Sequence, residues 1–477
     1  MAPGPVTNSI NLVGLDYGST TSSMLVFAAD IAANCTTGRM AFQNTRPVYR
    51  SEPVFTPFHE DSLDLQTIHN QLQIWLDRAG LTAKEIFSGG AIITGLAAQR
   101  TNASGLTTLL RKILGDAIIA TADDPRLEAW LAYMGSCASL SRENPRLPFL
   151  NLDIGGGTTN PALGCNGNVD STGSYFIGAR HFEFEPGGYH LTACSRYGTA
   201  LLQHLGCAKK PGQELHRNEV AAVVAYYTDA LAAIARGDKN FFTSPIGSLM
   251  EQSPFRNTPN TTPVLTFSGG VADLVYAMAL DNTTVSTTRY GDLGADLARA
   301  ILQHPLLSRD IRRFTPASRG RATVQGLTLN NTDLSGSTIF VSQSAALPLS
   351  DLPVIASMPA ESTETALTHA MRNASRSRRG FCMKLTWTEP QPRAATVKQV
   401  GTTLANAMNA AKLTPGSTLV ILTTANVGKA LGNYATAWDT SGHPLMIIDE
   451  IPERDTHFVN LGPMRNGIVP VSFYGLL

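Results

Sequence analysis

The stretch Asn151–Asn160, NLDIGGGTTN, has a thinner copy at Gly14–Ser23, GLDYGSTTSS. Each ends an apolar run on one aspartate, Asp153 or Asp16, then turns through glycine into paired threonines. Phosphate groups want backbone N–H donors close at hand, and glycine lets a turn approach that closely. The hydroxyls of Ser19, Thr20, Thr21, Thr158 and Thr159 can add donors or hold the turn, beside Gly18, Gly155, Gly156 and Gly157. A carboxylate at the strand end can hold the hydrated Mg2+ that accompanies ATP. One hairpin grips one side of a phosphate chain, and two facing hairpins grip both. A repeat at this domain-sized spacing is what duplication of a whole α/β lobe leaves. Either turn alone reads equally well as a plain hairpin turn; the pair does not.

Other nucleotide grips are excluded. A Walker A loop needs Gly-Lys followed by Ser or Thr, and Gly428-Lys429 is followed by Ala430. A dinucleotide fingerprint would need glycine where Asn160 stands.

Length and composition bound the rest. A chain of 477 residues is too long for one core, and two or three domains are expected. Charged residues make up 16%, against about 25% in an ordinary globular protein. Thirty-seven basic and thirty-seven acidic residues cancel, so no global field draws in nucleic acid or an anionic membrane. The six cysteines (Cys35, Cys137, Cys165, Cys194, Cys207 and Cys382) are scattered with no C-x-x-C pair, which reads as reduced thiols. No signal-like start or membrane-length apolar run is found, so a soluble, cytoplasmic protein is expected.

Along the chain, NLVGLDYG and SMLVFAA read as strands around the first hairpin. Leu65, Ile68, Leu72 and Trp75 recur at helical spacing, which makes Trp75 a core residue rather than a ligand contact. GGAIITGLAAQRTNAS reads as a strand running into a helix, and DDPRLEAWLAYMGS as a second helix with Pro125 in its first turn. A helix over 217–235 follows, then the strand PVLTFSGG, and another helix in YGDLGADLARAILQ. From about Ser308 the texture reads as turns and short strands, and STLVILTT, PLMIIDEI and GIVPVSFYG restore α/β order. The expected division is 8–147, 148–307 and 308–477.

The doubled motif resembles the two phosphate motifs of the actin-like ATPase superfamily. DDPRLEAWLAYMGS is similar to its first connecting helix, where Glu128, or secondly Asp124, would place metal or water. FSGGVADLV is similar to the adenosine motif, in which Gly269 and Gly270 let base and ribose approach the backbone. YGDLGADLARAI is similar to the second connecting helix, with Gly291, Gly294 and Ala298 permitting a close crossing. The resemblance implies two ribonuclease H-like lobes around a nucleotide cleft, plus a C-terminal α/β domain. It implies ATP and Mg2+ as cofactors, with Asp16, Asp153 and Glu128 as metal-holding and catalytic residues.

Within the superfamily, the wording GAIITGLAAQRTNAS, LDIGGGTTN, LSGSTI and IDEI resembles the EutA family, the ethanolamine ammonia-lyase reactivating factors. The resemblance implies a slow ATPase of ethanolamine utilisation, acting chaperone-like on the adenosylcobalamin-dependent lyase so that damaged cobalamin exchanges for intact. It implies a cytoplasmic protein, associated with a bacterial microcompartment where one is present. The alternative is a small-molecule kinase of the same superfamily. No Asn-Asp dipeptide of the kind many sugar kinases use as a base is present. Two positions depart from the family: Leu96 stands where an acid is expected, and the last strand lacks a basic residue.

Other features carry less. His181 and His190 flank FEFEPGGY, where Glu183 and Glu185 alternate; a solvated face is expected there, with a metal site as the alternative. Arg372, Arg376, Arg378 and Arg379 read as a basic linker rather than a dock for an acidic partner.

Overall fold

The computed structural model describes residues 9–33, 39–59, 62–94, 97, 101–114, 118–122, 124–207, 209–257, 262–336, 338–374, 380–414 and 416–476. Cys35, Leu96, Arg376, Arg378 and Arg379 lie outside the described residues. The five described cysteines are all free.

The first lobe is built on a sheet in the order Met40–Arg50, Thr21–Ala33, Ile10–Tyr17, Ile86–Ile93, Ile118–Ala122. Its first three strands are antiparallel, and Ile86–Ile93 and Ile118–Ala122 run parallel to Ile10–Tyr17. Strand Ile86–Ile93 is buried along its whole length, as expected of a strand covered on both faces. Trp75 packs with Ile68 and Leu72 in the core beneath it.

The second lobe repeats the plan. Phe149–Ile154 pairs antiparallel with Thr159–Cys165 and parallel with Val264–Ser268, as Ile10–Tyr17 pairs with Thr21–Ala33 and Ile86–Ile93. Both aspartates therefore stand at the same place in the same motif, the end of a strand flanked by a hairpin partner and a parallel neighbour. The duplicated lobes have the actin-like, ribonuclease H-like arrangement.

Two helices join the lobes. Pro125–Ser136 starts on Asp124, whose Oδ1 accepts from the Leu127 N–H at 3.1 Å. It is crossed by Ala322–Asn330. A Cβ on Gly135 would lie 1.9 Å from the Ala322 carbonyl oxygen, and one on Gly326 would lie 2.0 Å from that of Leu131. Two glycines thus bring the helix backbones together. This corrects the expectation for YGDLGADLARAI: Gly294–Gln303 packs against Gly270–Leu280 and Arg217–Arg236 instead, and Gly291, Gly294 and Ala298 do not make the crossing.

The stretch expected to open the third domain at 308 packs with the lobes. Leu307 and Ile311 belong to the second-lobe core, and the Phe314 ring meets Phe149 edge-on at 5.4 Å. Asp310 Oδ2 accepts from the Leu265 N–H at 2.9 Å. The third sheet begins only at Thr332.

That sheet has eight strands, in the order Thr332–Ser335, Val469–Leu476, Thr456–Leu461, Leu349–Pro359, Phe381–Thr386, Leu419–Thr423, Leu445–Ile448, Phe340–Val341. Leu349–Pro359 to Leu445–Ile448 run parallel, with helices between successive strands. Side chains alternate across the sheet: Phe381, Met383 and Leu385 enter the helix-covered core, and Cys382 faces the other. The LSGSTI and IDEI segments meet here. Buried Asp449 accepts from Ser335 Oγ at 3.3 Å, Thr338 Oγ1 at 2.5 Å and the Gly428 N–H at 2.7 Å. One carboxylate ties a loop, a strand end and a helix start together.

Candidate functional site

The two hairpins close by the same bond. Asp16 lies opposite Ser23, and the Gly18 N–H donates to the Thr21 carbonyl at 3.0 Å. Asp153 lies opposite Asn160, and the Gly155 N–H donates to the Thr158 carbonyl at 2.9 Å. The tips meet face to face. A Cβ on Gly156 would stand 2.3 Å from Thr20 Oγ1 and 3.5 Å from the Ser19 Cβ, so a larger residue would have to displace the Thr20 hydroxyl. Behind Gly156, the Arg180 N–H donates to its carbonyl at 2.6 Å, and the Arg180 guanidinium lies 5.8 Å from the Phe55 ring centre in the first lobe.

Three carboxyls gather beneath the tips. Burial pushes Asp16 up to about 7, and the charge of Asp153 adds to the shift. Burial pushes Asp153 up to about 6, against hydrogen bonds from Ser268 and Thr323. Glu128 is held well above the usual range, first by burial and then by Asp153, Asp16 and Asp124, while a hydrogen bond from Asn160 opposes them. Like charges that repel in a dry interior retain protons until a cation neutralises them.

The donor set fits a hydrated cation. Asp16 Oδ1 and Thr20 Oγ1 are buried with no hydrogen-bond partner, and buried polar atoms normally find one in protein or water. Among the described residues, no three His, Cys, Asp or Glu side chains converge closely enough to ligate one ion directly. Mg2+ usually keeps several of its waters.

The adenosine-like turn is tied to this cluster. Ser268 Oγ donates to Asp153 Oδ1 at 2.5 Å and accepts from Asn151 Nδ2 at 2.8 Å. Gly269 has φ 88°, and a Cβ there would lie 2.5 Å from the Ile154 carbonyl oxygen. Gly270 faces open space: nothing lies within 4 Å of a Cβ built on it. A ligand can therefore approach the start of helix Gly270–Leu280.

The threonines divide. Thr20 faces the opposite hairpin, whereas the Thr159 hydroxyl donates to the Ile177 carbonyl at 2.7 Å and holds the turn. Thr158 accepts from Asn160 Nδ2 at 3.4 Å, and Thr21 opens its strand exposed. Sequence reasoning missed Asn160, Ser268, Thr323 and Arg180. Asn160 and Ser268 stand inside the quoted motifs and carried a readable signal. Thr323, whose hydroxyl donates to Asp153 Oδ2 at 3.5 Å, reaches the site from a helix with none.

The histidine pair is neither a metal site nor a solvated face at His181. That ring is fully buried, with Nδ1 2.8 Å from Ser195 Oγ, and burial lowers it to about 4. Of the arginine run, Arg372 donates from Nη2 to the Ala410 carbonyl at 2.9 Å, at the end of helix Glu364–Ala374.

A family model described as ethanolamine utilisation protein EutA matches residues 8–477. The chain belongs to the EutA family. The ethanolamine ammonia-lyase reactivase EutA of Salmonella typhimurium (strain LT2) is 28% identical over 484 residues, covering 98% of this chain and 99% of the relative. The reactivase EutA of Escherichia coli (strain K12) matches with the same identity and coverage. Among solved structures, the ethanolamine utilization protein EutJ from Carboxydothermus hydrogenoformans covers 69% of this chain and 90% of its own, at 13% identity and a TM-score of 0.32, too low to add to the argument. Among the described residues, no helix of this EutA-family chain is long and apolar enough to cross a membrane.

Proposed function

We propose that this chain is a slow, Mg2+-dependent ATPase that reactivates adenosylcobalamin-dependent ethanolamine ammonia-lyase. The observation that carries the reading is the end-to-end correspondence with the two reactivases, over 98% of this chain. The site supports it. Asp16 and Asp153 would hold a hydrated Mg2+ from the two sides of the cleft, and the hairpins Gly18–Thr21 and Gly155–Thr159 would grip the phosphates of ATP. Mg2+ would supply charge neutralisation there. Glu128, whose protonated form is favoured by burial and by the neighbouring carboxylates while the cleft lacks a cation, would in its ionised form orient a water and accept a proton from it. Gly269 and Gly270 would admit the nucleoside.

Radical chemistry on adenosylcobalamin leaves damaged cofactor buried in the lyase after a failed turnover. Opening the lyase costs free energy, and a clamp that binds the open form better in one nucleotide state shifts the equilibrium by that difference in affinity. Hydrolysis resets the clamp. The lobes would supply the motion, and the domain from Thr332 onward would engage the lyase.

The test is reactivation itself. The chain is incubated with cyanocobalamin-inactivated lyase, ATP, Mg2+ and fresh adenosylcobalamin, and deamination is measured. Restored turnover that requires hydrolysable ATP is expected. Efficient transfer of the γ-phosphate to a small acceptor, with no reactivation, would overturn the reading.

A further inference from the structure

A polar cavity of about 190 Å3 lies where the lobes meet the crossing helix. Its walls come from three elements. Arg50 ends the first-lobe strand Met40–Arg50, Asp273 stands in the first turn of helix Gly270–Leu280, and Ser318 to Arg321 lead into helix Ala322–Asn330. The lead-in segment is pinned. The Arg319 carbonyl accepts from the Gly269 N–H at 2.9 Å, and its guanidinium lies 5.0 Å from the Tyr276 ring centre. A Cβ on Gly320 would lie 1.8 Å from Asp273 Oδ2, so glycine alone permits this approach.

Three arginines therefore line a small space with one aspartate, and the Gly320 backbone already donates to that carboxylate; the Arg319 Nε donates to the Pro316 carbonyl at 3.4 Å. Arg321 Nη1 is buried and has no hydrogen-bond partner. Burial disfavours the Arg321 charge and Arg50 repels it, with Glu52 and Asp273 opposing. Like charges held together with an unused donor persist where an anion completes them.

We propose that this cavity is an oxyanion site that binds inorganic phosphate or a carboxylate, bridging Arg50 of the first lobe to Arg319 and Arg321. A planar guanidinium suits both chemistries, because its paired N–H groups match two oxygens. The oxyanion comes either from free phosphate, such as hydrolysis releases, or from an acidic side chain of a protein partner. Because the walls belong to different lobes, occupancy favours one relative setting of the lobes.

The probe is inorganic phosphate, titrated calorimetrically into the full chain saturated with ADP and Mg2+, at constant ionic strength against chloride. Blocking the nucleotide cleft with ADP separates the two sites, and no lyase is needed, so failure of the reactivase reading does not touch this result. Saturable binding is expected. Arg50→Ala and Arg321→Ala should each weaken it about tenfold, the loss of one charge-assisted hydrogen bond. Arg321→Lys should fall between them and the parent, retaining charge without the fork. Arg50 is exposed at a strand end, so its variant keeps the test valid if Arg321→Ala fails to fold. The proposal is overturned by phosphate heats equal to chloride, by complete loss of binding under ADP, or by unchanged affinity in Arg50→Ala. With lyase added, competition by phosphate identifies an acidic side chain as the natural occupant; phosphate-sensitive ATP turnover without competition identifies free phosphate.

Discussion

Replacing Asp16 by Asn should stabilise the empty protein while abolishing the proposed Mg2+-dependent ATP hydrolysis. The carboxyl is buried, its Oδ1 has no partner, and burial with Asp153 nearby raises it from 3.8 to about 7. The folded chain thus keeps a proton that the unfolded chain releases. The resulting penalty is absent below the unfolded value, grows between about 3.8 and about 7, and is full above that. Each tenfold change in proton affinity is about 1.4 kcal/mol, so the penalty grows by roughly 2–3 kcal/mol between pH 5 and pH 8. Asn never ionises and escapes it. Thermal melts without nucleotide should show Asp16→Asn gaining on the parent as pH rises, by several degrees, roughly 5 °C. Mg2+ and ATP should raise the melting temperature of the parent and not of the variant. A stability difference that is the same at pH 5 and pH 8, or a variant that still hydrolyses ATP with Mg2+, would refute the reasoning.

Gly135→Ala should separate the crossing helices, because its methyl would meet the Ala322 carbonyl; a loss of about 1–3 kcal/mol in denaturant melts is expected. Asp124→Ala removes both the cap on Leu127 and the acceptor of the Gly475 N–H, which donates to Oδ2 at 2.6 Å. It should cost about 1 kcal/mol or more, and reactivation should fall further than ATP hydrolysis when both are assayed. Trp438 is 69% exposed, between Ala437 and Asp439, all three at positive φ, and such strain gathers at functional sites. Trp438→Ala should leave ATP hydrolysis intact and weaken lyase association about tenfold or more, measured by binding of inactivated lyase.

The features legible in the sequence share one property: they are carried by local residue order. The doubled hairpin was readable because a phosphate-type turn needs glycine, threonine and aspartate within a few positions. Trp75 was readable because a half-buried helix writes its core face at helical spacing. Ala322–Asn330 was not. Ala322, Thr323, Val324, Gly326, Leu327 and Thr328 are all buried, so the helix shows no polar face, and its β-branched residues and glycine argue for strands and turns. Gly294–Gln303 drew the assignment because it has the clean stripe of a surface helix. His181 was misread for a related reason: its burial is set by Tyr197 and Tyr227, distant in sequence.

The proposed nucleotide site and the third domain share a residue. Asp124 caps the helix that carries Glu128, and its other oxygen accepts from Gly475 in the last strand. That strand is fixed to the first lobe a second time, since Tyr474 donates to Asp351 Oδ1 at 2.7 Å and Arg111 binds the same carboxylate at 2.8 and 2.9 Å. Arg454, paired with Asp333, stacks between Trp130 of the connecting helix and Phe473. If Mg2+ discharges the carboxyl cluster as proposed, any shift of the connecting helix would either carry the last strand with it or break buried hydrogen bonds. Breaking a charged one costs about 1.5–3 kcal/mol, comparable to what a nucleotide-state difference supplies. The lower-cost course would be for the third sheet to move with the helix, which would let the proposed phosphate-binding cleft act on a surface it does not itself form.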